Sequence, residues 1–205
     1  MPAKKIPADR LIQIVSPMRI KYKDVFSIKA FYEALHEWLL EYEWKDLEEE
    51  SDKYERFYGE RVRQDRSKEI WIRWRTCKKA PDADYLTYYL DFDFHSPAII
   101  TTEIIKDGKK LKTNKGELEL TLRAFIEENY KETMEGHPFL KHFKDLFAKR
   151  IYHQTIEDRK RELYREVYAL QTFIKQWFKL KRYLPYEEMK TLFASEAFPS
   201  HLKEK

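Results

Sequence analysis

Ile70-Trp71-Ile72-Arg73-Trp74-Arg75 and Leu86-Thr87-Tyr88-Tyr89-Leu90-Asp91-Phe92-Asp93-Phe94-His95 alternate apolar and polar residues almost without a break. Side chains of a strand switch faces at every residue, so the even positions form one apolar wall and the odd positions a face of Trp, Tyr, Arg, Asp and His. Two such segments separated by a short polar loop with Pro81 describe a half-buried antiparallel sheet.

Strands extend from this pair in both directions. Tyr54 to Arg63 meets Lys68 to Lys78 through the polar turn Gln64-Asp65-Arg66-Ser67. Pairing Arg63 with Lys68 sets Tyr58 opposite Arg73 and Arg56 opposite Arg75. After His95, Pro97 predicts a strand end, and Ile99 to Lys106 turns through Asp107-Gly108, a strong hairpin signal, into Lys109 to Thr113. Asn114-Lys115-Gly116 predicts another turn before Glu117 to Arg123, where Leu118, Leu120 and Leu122 alternate with polar residues.

Upstream, Leu11 to Val15 is apolar and Arg19 to Lys23 alternates as a short strand. Ile28, Phe31, Leu35, Leu39 and Tyr42 then recur at helical spacing behind Ser27, an N-cap residue type. The acidic run Asp46 to Asp52 offers a short second helix. Downstream, neither Gly nor Pro occurs between Phe139 and Leu184. Pro138 suits a first helical turn and Phe139, Leu140, Phe143, Leu146, Phe147 and Ile151 make one stripe. Ile156, Leu163, Val167, Leu170, Ile174 and Trp177 make a second, out of phase with the first, which predicts a helix break near His153 to Thr155. A last short helix is expected from Pro185 to about Ala194.

The expectation is an α+β fold: an antiparallel sheet of about six to seven strands packed on helices, with an extended C-terminal helical segment. Residues 1–136 form the sheet domain, with a helix over 27–43 and a strand meander over 54–126; residues 137–205 form helices that pack on it and extend from it. This element order, over roughly Arg19 to Ile151, resembles the helix-grip topology of START-like proteins, in which a curved sheet wraps a long C-terminal helix around a cavity. No residue motif is matched. The resemblance implies a pocket for a lipid or other hydrophobic small molecule, enclosed by the sheet and the Phe139–Ile151 helix.

Composition narrows the function classes. The 205 residues carry 40 basic and 36 acidic side chains, a formal charge of +4, and 16% are aromatic, which excludes disorder as the dominant state. One cysteine, Cys77, leaves no intramolecular disulfide and fits a reducing, cytoplasmic setting. The first residues resemble no secretory signal, and no apolar run approaches the ~20 residues of a membrane-spanning helix. Asn114 and Asn129 are the only asparagines amid abundant Lys, Glu and Arg, a composition expected of a thermophilic source.

Three constellations are candidates for function. On the odd-numbered sheet face, Arg56, Tyr58, Trp71, Arg73 and Arg75 interleave rings and guanidinium groups of the kind that stack bases and grip phosphates. Asp91 and Asp93 share that face and counter the charge. Asp91, Asp93 and His95 line up along one strand but sit ~6.5 to 7 Å apart, too far for one ion, so no metal, cofactor or catalytic set is expected. With only four glycines, phosphate-cradling loops are poorly supplied. The third constellation is C-terminal. Residues 141–182 carry twelve basic and five acidic side chains, a net +7. Lys144, Arg150, Arg159, Lys160, Arg161, Arg165, Lys175, Lys179 and Arg182, with Trp177, form the leading candidate surface. Its expected partner is a polyanion, RNA or a ribonucleoprotein, bound without catalysis. The 156–177 seam, with its three-and-four spacing, offers self-assembly as a further expectation.

Overall fold

The two alternating stretches become two long neighbouring strands at the centre of the sheet. The structure, a computed structural model, describes residues 7, 10–48, 53–106, 109–131 and 153–180. Seven strands form one antiparallel sheet: β1 (Leu11–Gln13), β2 (Met18–Phe26), β3 (Lys45–Asp46), β4 (Glu55–Val62), β5 (Lys68–Ala80), β6 (Ala83–Lys106) and β7 (Lys109–Glu128). Helix α1 (Ile28–Glu41) separates β2 from β3, and α2 (His153–Trp177) follows β7. The spatial order runs β7, β6, β5 through the middle. At one edge β2 and β1 pair successive stretches of β7; at the other β4 and β3 pair successive stretches of β5. The fold is α+β.

Both helices cover the even-numbered face. Ser27 caps α1 by accepting a hydrogen bond from the Ala30 backbone at 3.2 Å, and Phe31, Leu35, Trp38 and Leu39 face the sheet. The Phe31 ring meets Phe94 edge to face at 6.4 Å, and Tyr32 meets Trp74 at 4.4 Å. Helix α2 lies on the same face. Ile156, Leu163, Val167, Leu170 and Ile174 join Ile72, Trp74, Leu90, Phe92, Leu120 and Leu122 in one core. Tyr22 of β2, Phe26 and Phe31 close around Phe178 beyond the helix end. Both helices finish on a non-glycine residue in the left-handed region, Glu43 (φ 60°) and Lys179 (φ 52°). The next backbone N–H then reaches back, Trp44 to Leu39 at 2.9 Å and Leu180 to Lys175 at 2.8 Å.

The 156–177 stripe is therefore core within one chain, and its apolar side chains are not available to a second copy. The stripe Phe139–Ile151, which the helix-grip pocket requires, lies outside the described residues, as do Asp107-Gly108, most of the proposed 46–52 helix and the helix after Pro185. Asp46 itself belongs to β3.

Three expectations about the strands need correction. Val62, rather than Arg63, pairs with Lys68, and a bulge follows between Glu55 and Phe57. The five-residue loop is closed by Arg63 N–H to Ser67 C=O at 2.9 Å, with Arg66 in the left-handed region and Asp65 accepting from the Ser67 backbone. Tyr58 consequently faces Ile72, and Phe57 faces Arg73. A one-residue slip moves every side chain to the other face. Pro97 does not end β6, and Asn114-Lys115-Gly116 does not interrupt β7. A bulge between His95 and Ile99 takes up one extra residue, and both strands run through it.

Candidate functional site

On the odd-numbered face, register fixes who meets whom. Trp71 lies opposite His95, Arg73 opposite Asp93 and Arg75 opposite Asp91, while β7 brings Arg123 to Asp91 and Glu119 to His95. Asp93 is the hub: it accepts from Arg75 at 2.7 Å and from Arg123, with Arg73 at 4.0 Å. Asp91 has Arg75 at 3.5 Å. Burial raises the Asp91 carboxyl above the usual aspartate range, against the pull of Arg75 and Arg123. His95 stacks on Trp71 with 5.7 Å between centroids and sits between Glu69 at 3.2 Å and Glu119 at 3.7 Å. Arg63 and His95 hold Glu69 below its ordinary range, and Lys21 does the same for Glu119. Arg73 also lies over the Phe57 ring at 5.4 Å. Each cation of this ladder already faces a carboxylate, so Trp71, Arg73 and Arg75 stand together as expected but with their charges largely met inside the sheet. Arg56 sits in the bulge and turns to Glu48 at 3.3 Å, and Tyr58 donates to Glu60 at 2.8 Å. Neither joins the Trp71 ladder.

Among the described residues no group of three or more His, Cys, Asp and Glu side chains could hold a metal. Cys77 is buried and its thiol points to the Asp46 carbonyl at 2.9 Å.

Helix α2 divides the C-terminal candidates. Its described span holds five basic and four acidic residues, one net positive charge, so the local excess in residues 141–182 lies mainly outside it. Lys144, Arg150 and Arg182 lie outside the described residues. Arg159 turns inward onto Glu162 at 2.6 Å, beside the Tyr88 hydroxyl, which donates to Glu162 at 3.1 Å. Burial raises the Tyr88 hydroxyl pKa further than its neighbours do. Lys160 holds Glu157 at 2.7 Å. Trp177 packs against Phe31 and Phe178 at about 5 Å and belongs with the core. Lys179 is exposed at the helix end and Lys175 half-buried.

Arg161 and Arg165 remain, and between and beside them stand two residues that charge counting passes over. Tyr164 and Tyr168 are 45% and 41% exposed, one turn apart, with ring centroids 4.4 Å from each other. A hydrogen bond to Tyr168 raises the Tyr164 hydroxyl above the usual tyrosine range. Each follows a core residue, Leu163 or Val167, by one position, which is the helical signal that places them on the outer flank. Among the described residues Arg161 forms one ion pair, with the exposed Asp158 at 3.5 Å, and Arg165 forms none. A groove beside the stripe is lined by Tyr42, Arg161, Arg165 and Ala169, with Asp158, Glu162 and Glu166 along it. Glu166 is committed inward, accepting from Trp44 Nε1 at 2.5 Å and from Lys78 at 3.2 Å.

No protein-family model, curated protein or solved structure matches the chain. No helix among the described residues is long and apolar enough to cross a membrane.

Proposed function

We propose that this protein is a non-enzymatic binding module whose helix α2 engages single-stranded RNA through Arg161, Tyr164, Arg165 and Tyr168. The observation that carries this reading is the exposed pair of tyrosine rings flanked by two weakly committed guanidinium groups. Rings stack unpaired bases and arginines neutralise phosphates, a combination used by proteins that hold single strands with little sequence preference. The carboxylates along the adjoining groove argue against a duplex, whose paired phosphate rows demand a broad positive surface. The exposed Asp158–Arg161 pair opposes this little, because surface ion pairs are worth roughly 0–1 kcal/mol.

Fluorescence anisotropy with a labelled single-stranded RNA, over a series of salt concentrations, tests the reading. The expected result is micromolar binding that weakens with salt, and Arg161→Ala/Arg165→Ala lowers the salt slope by about 1 to 2, near the ~0.7 expected per lost phosphate contact. Tyr164→Ala/Tyr168→Ala should cost roughly 1–3 kcal/mol per stacked base while leaving the slope unchanged. No binding of RNA at low ionic strength would end it.

A further inference from the structure

Strand β4 lies at the edge of the sheet. It pairs with β5 on one side, and its second edge carries no strand among the described residues. All of its side chains are exposed apart from the half-buried Gly59. Phe57, Tyr58 and Val62 are 48%, 50% and 62% exposed, whereas edge strands are commonly short, proline-marked or covered. A row of open N–H and C=O groups bordered by aromatic rings is a template for one more strand.

From this edge we infer that β4 pairs antiparallel with β4 of a second copy, about a two-fold axis through Gly59. The strand is complementary to itself in that register. Phe57 and Arg61 both lie on the outer face, opposite Arg73 and Glu69 of β5, while Tyr58 and Glu60 lie on the helix-covered face, opposite Ile72 and Ile70. Centring on Gly59 sets each Arg61 against the partner copy's phenylalanine ring, a cation–π contact. It also sets each Tyr58 hydroxyl against the opposing copy's glutamate at the Glu60 position, a bond Tyr58 already makes within its own strand at 2.8 Å. Arg61 forms no ion pair among the described residues, so it is free for this contact. Other registers that keep both helical layers on one face fit less well. Centring on Glu60 faces that carboxylate with its own copy, and centring on Tyr58 sets Arg61 opposite Glu55, which the bulge at Arg56 has turned to the other face. The contact is isologous and closes as a dimer. One strand pair buries little area, so its affinity is expected in the micromolar range.

Sedimentation velocity on the full chain, from about 1 to 200 µM, should show a monomer passing to a dimer. Arg61→Glu sets a carboxylate against each ring and beside Glu60, and should weaken association about tenfold or more. Arg61→Lys keeps a cation over the ring and keeps the dimer. Phe57→Glu replaces the ring by a carboxylate facing Arg61 and also keeps it, at low salt, which a merely greasy patch would not do. Gly59→Cys gives an independent readout. A Cβ there presses only on the far end of the Phe57 ring, at 3.1 Å, with Trp71 at an ordinary contact distance of 3.7 Å, and Cys77 is buried and silent. Residues facing each other across the axis have Cβ atoms ~5 Å apart, so mild oxidation or a short thiol cross-linker should give a covalent dimer. A monomer at every concentration overturns the inference. So does a dimer that Arg61→Glu leaves intact and Gly59→Cys does not cross-link, since that dimer uses another surface.

Discussion

At Asp91 burial and charge pull against each other. Its carboxyl faces Arg75 and Arg123 across two strands, yet burial outweighs them and its pKa is raised. A carboxyl whose folded pKa exceeds its unfolded value stays protonated in the native state after the unfolded chain has ionised. Stability therefore falls as pH rises between the two values, and above both the loss is constant. Glu69 and Glu119 have the opposite sign: their lowered folded pKa values favour the native state above the unfolded value, and that gain disappears as pH falls through the folded ones. Asp91→Asn should then raise stability at neutral pH, with little change in acid where Asp91 is protonated in both states. Arg75 has a second carboxylate, Asp93, at 2.7 Å, so the substitution does not leave its charge without a partner. Urea denaturation at neutral and acidic pH measures the difference, and a loss of stability at neutral pH would mean that the two guanidinium groups outweigh burial after all.

The bulge between His95 and Ile99 shows what one element demands of its neighbour. Opposite it, β7 carries Gly116, and a Cβ built there would come within 2.2 Å of the Ala98 carbonyl oxygen and 2.9 Å of the Ile99 Cα. Those are backbone atoms held by two strands, so they have little room to yield. Gly116→Ala should cost about 2–3 kcal/mol, an overpacking cost, measured by denaturant unfolding. Ser96 fastens the same corner by donating to the Glu117 carbonyl at 2.6 Å. This corner also marks what was legible beforehand. Alternation records which side chains avoid water, so the even-numbered walls of β5, β6 and β7 are plain from Ile70 to Phe94 and from Leu118 to Leu122. A bulge or a loop-closing pair is a backbone event and leaves no such trace. Pro97 and Asn114-Lys115-Gly116 therefore read as strand ends, and β4 is displaced by one residue. The helix face was half legible. The spacings Glu157–Lys160, Asp158–Arg161 and Arg159–Glu162 announce the ion pairs that neutralise α2, but a count of charge over residues 141–182 hides them.

At the scale of the whole molecule, the β4 edge and the α2 stripe are linked by symmetry. A two-fold axis perpendicular to the sheet keeps faces on their own side, so the two sheets would join into one with both helical layers on the same surface. The two Arg161–Tyr168 stripes would then point the same way, away from the shared sheet. An RNA long enough to reach both would bind its second stripe at an effective concentration set by the intervening strand, which can add a factor of about 10²–10⁴ over one stripe alone. An RNA too short to bridge gains nothing. Anisotropy with a long and a short single-stranded RNA should show Arg61→Glu weakening the long one at least about tenfold while leaving the short one unchanged. The expected contrast needs both surfaces. Equal weakening of the two RNAs would place Arg61 in the RNA contact itself. No weakening of either, in a protein that sedimentation shows to be a dimer before the substitution and a monomer after it, would mean that the two stripes do not act on one strand.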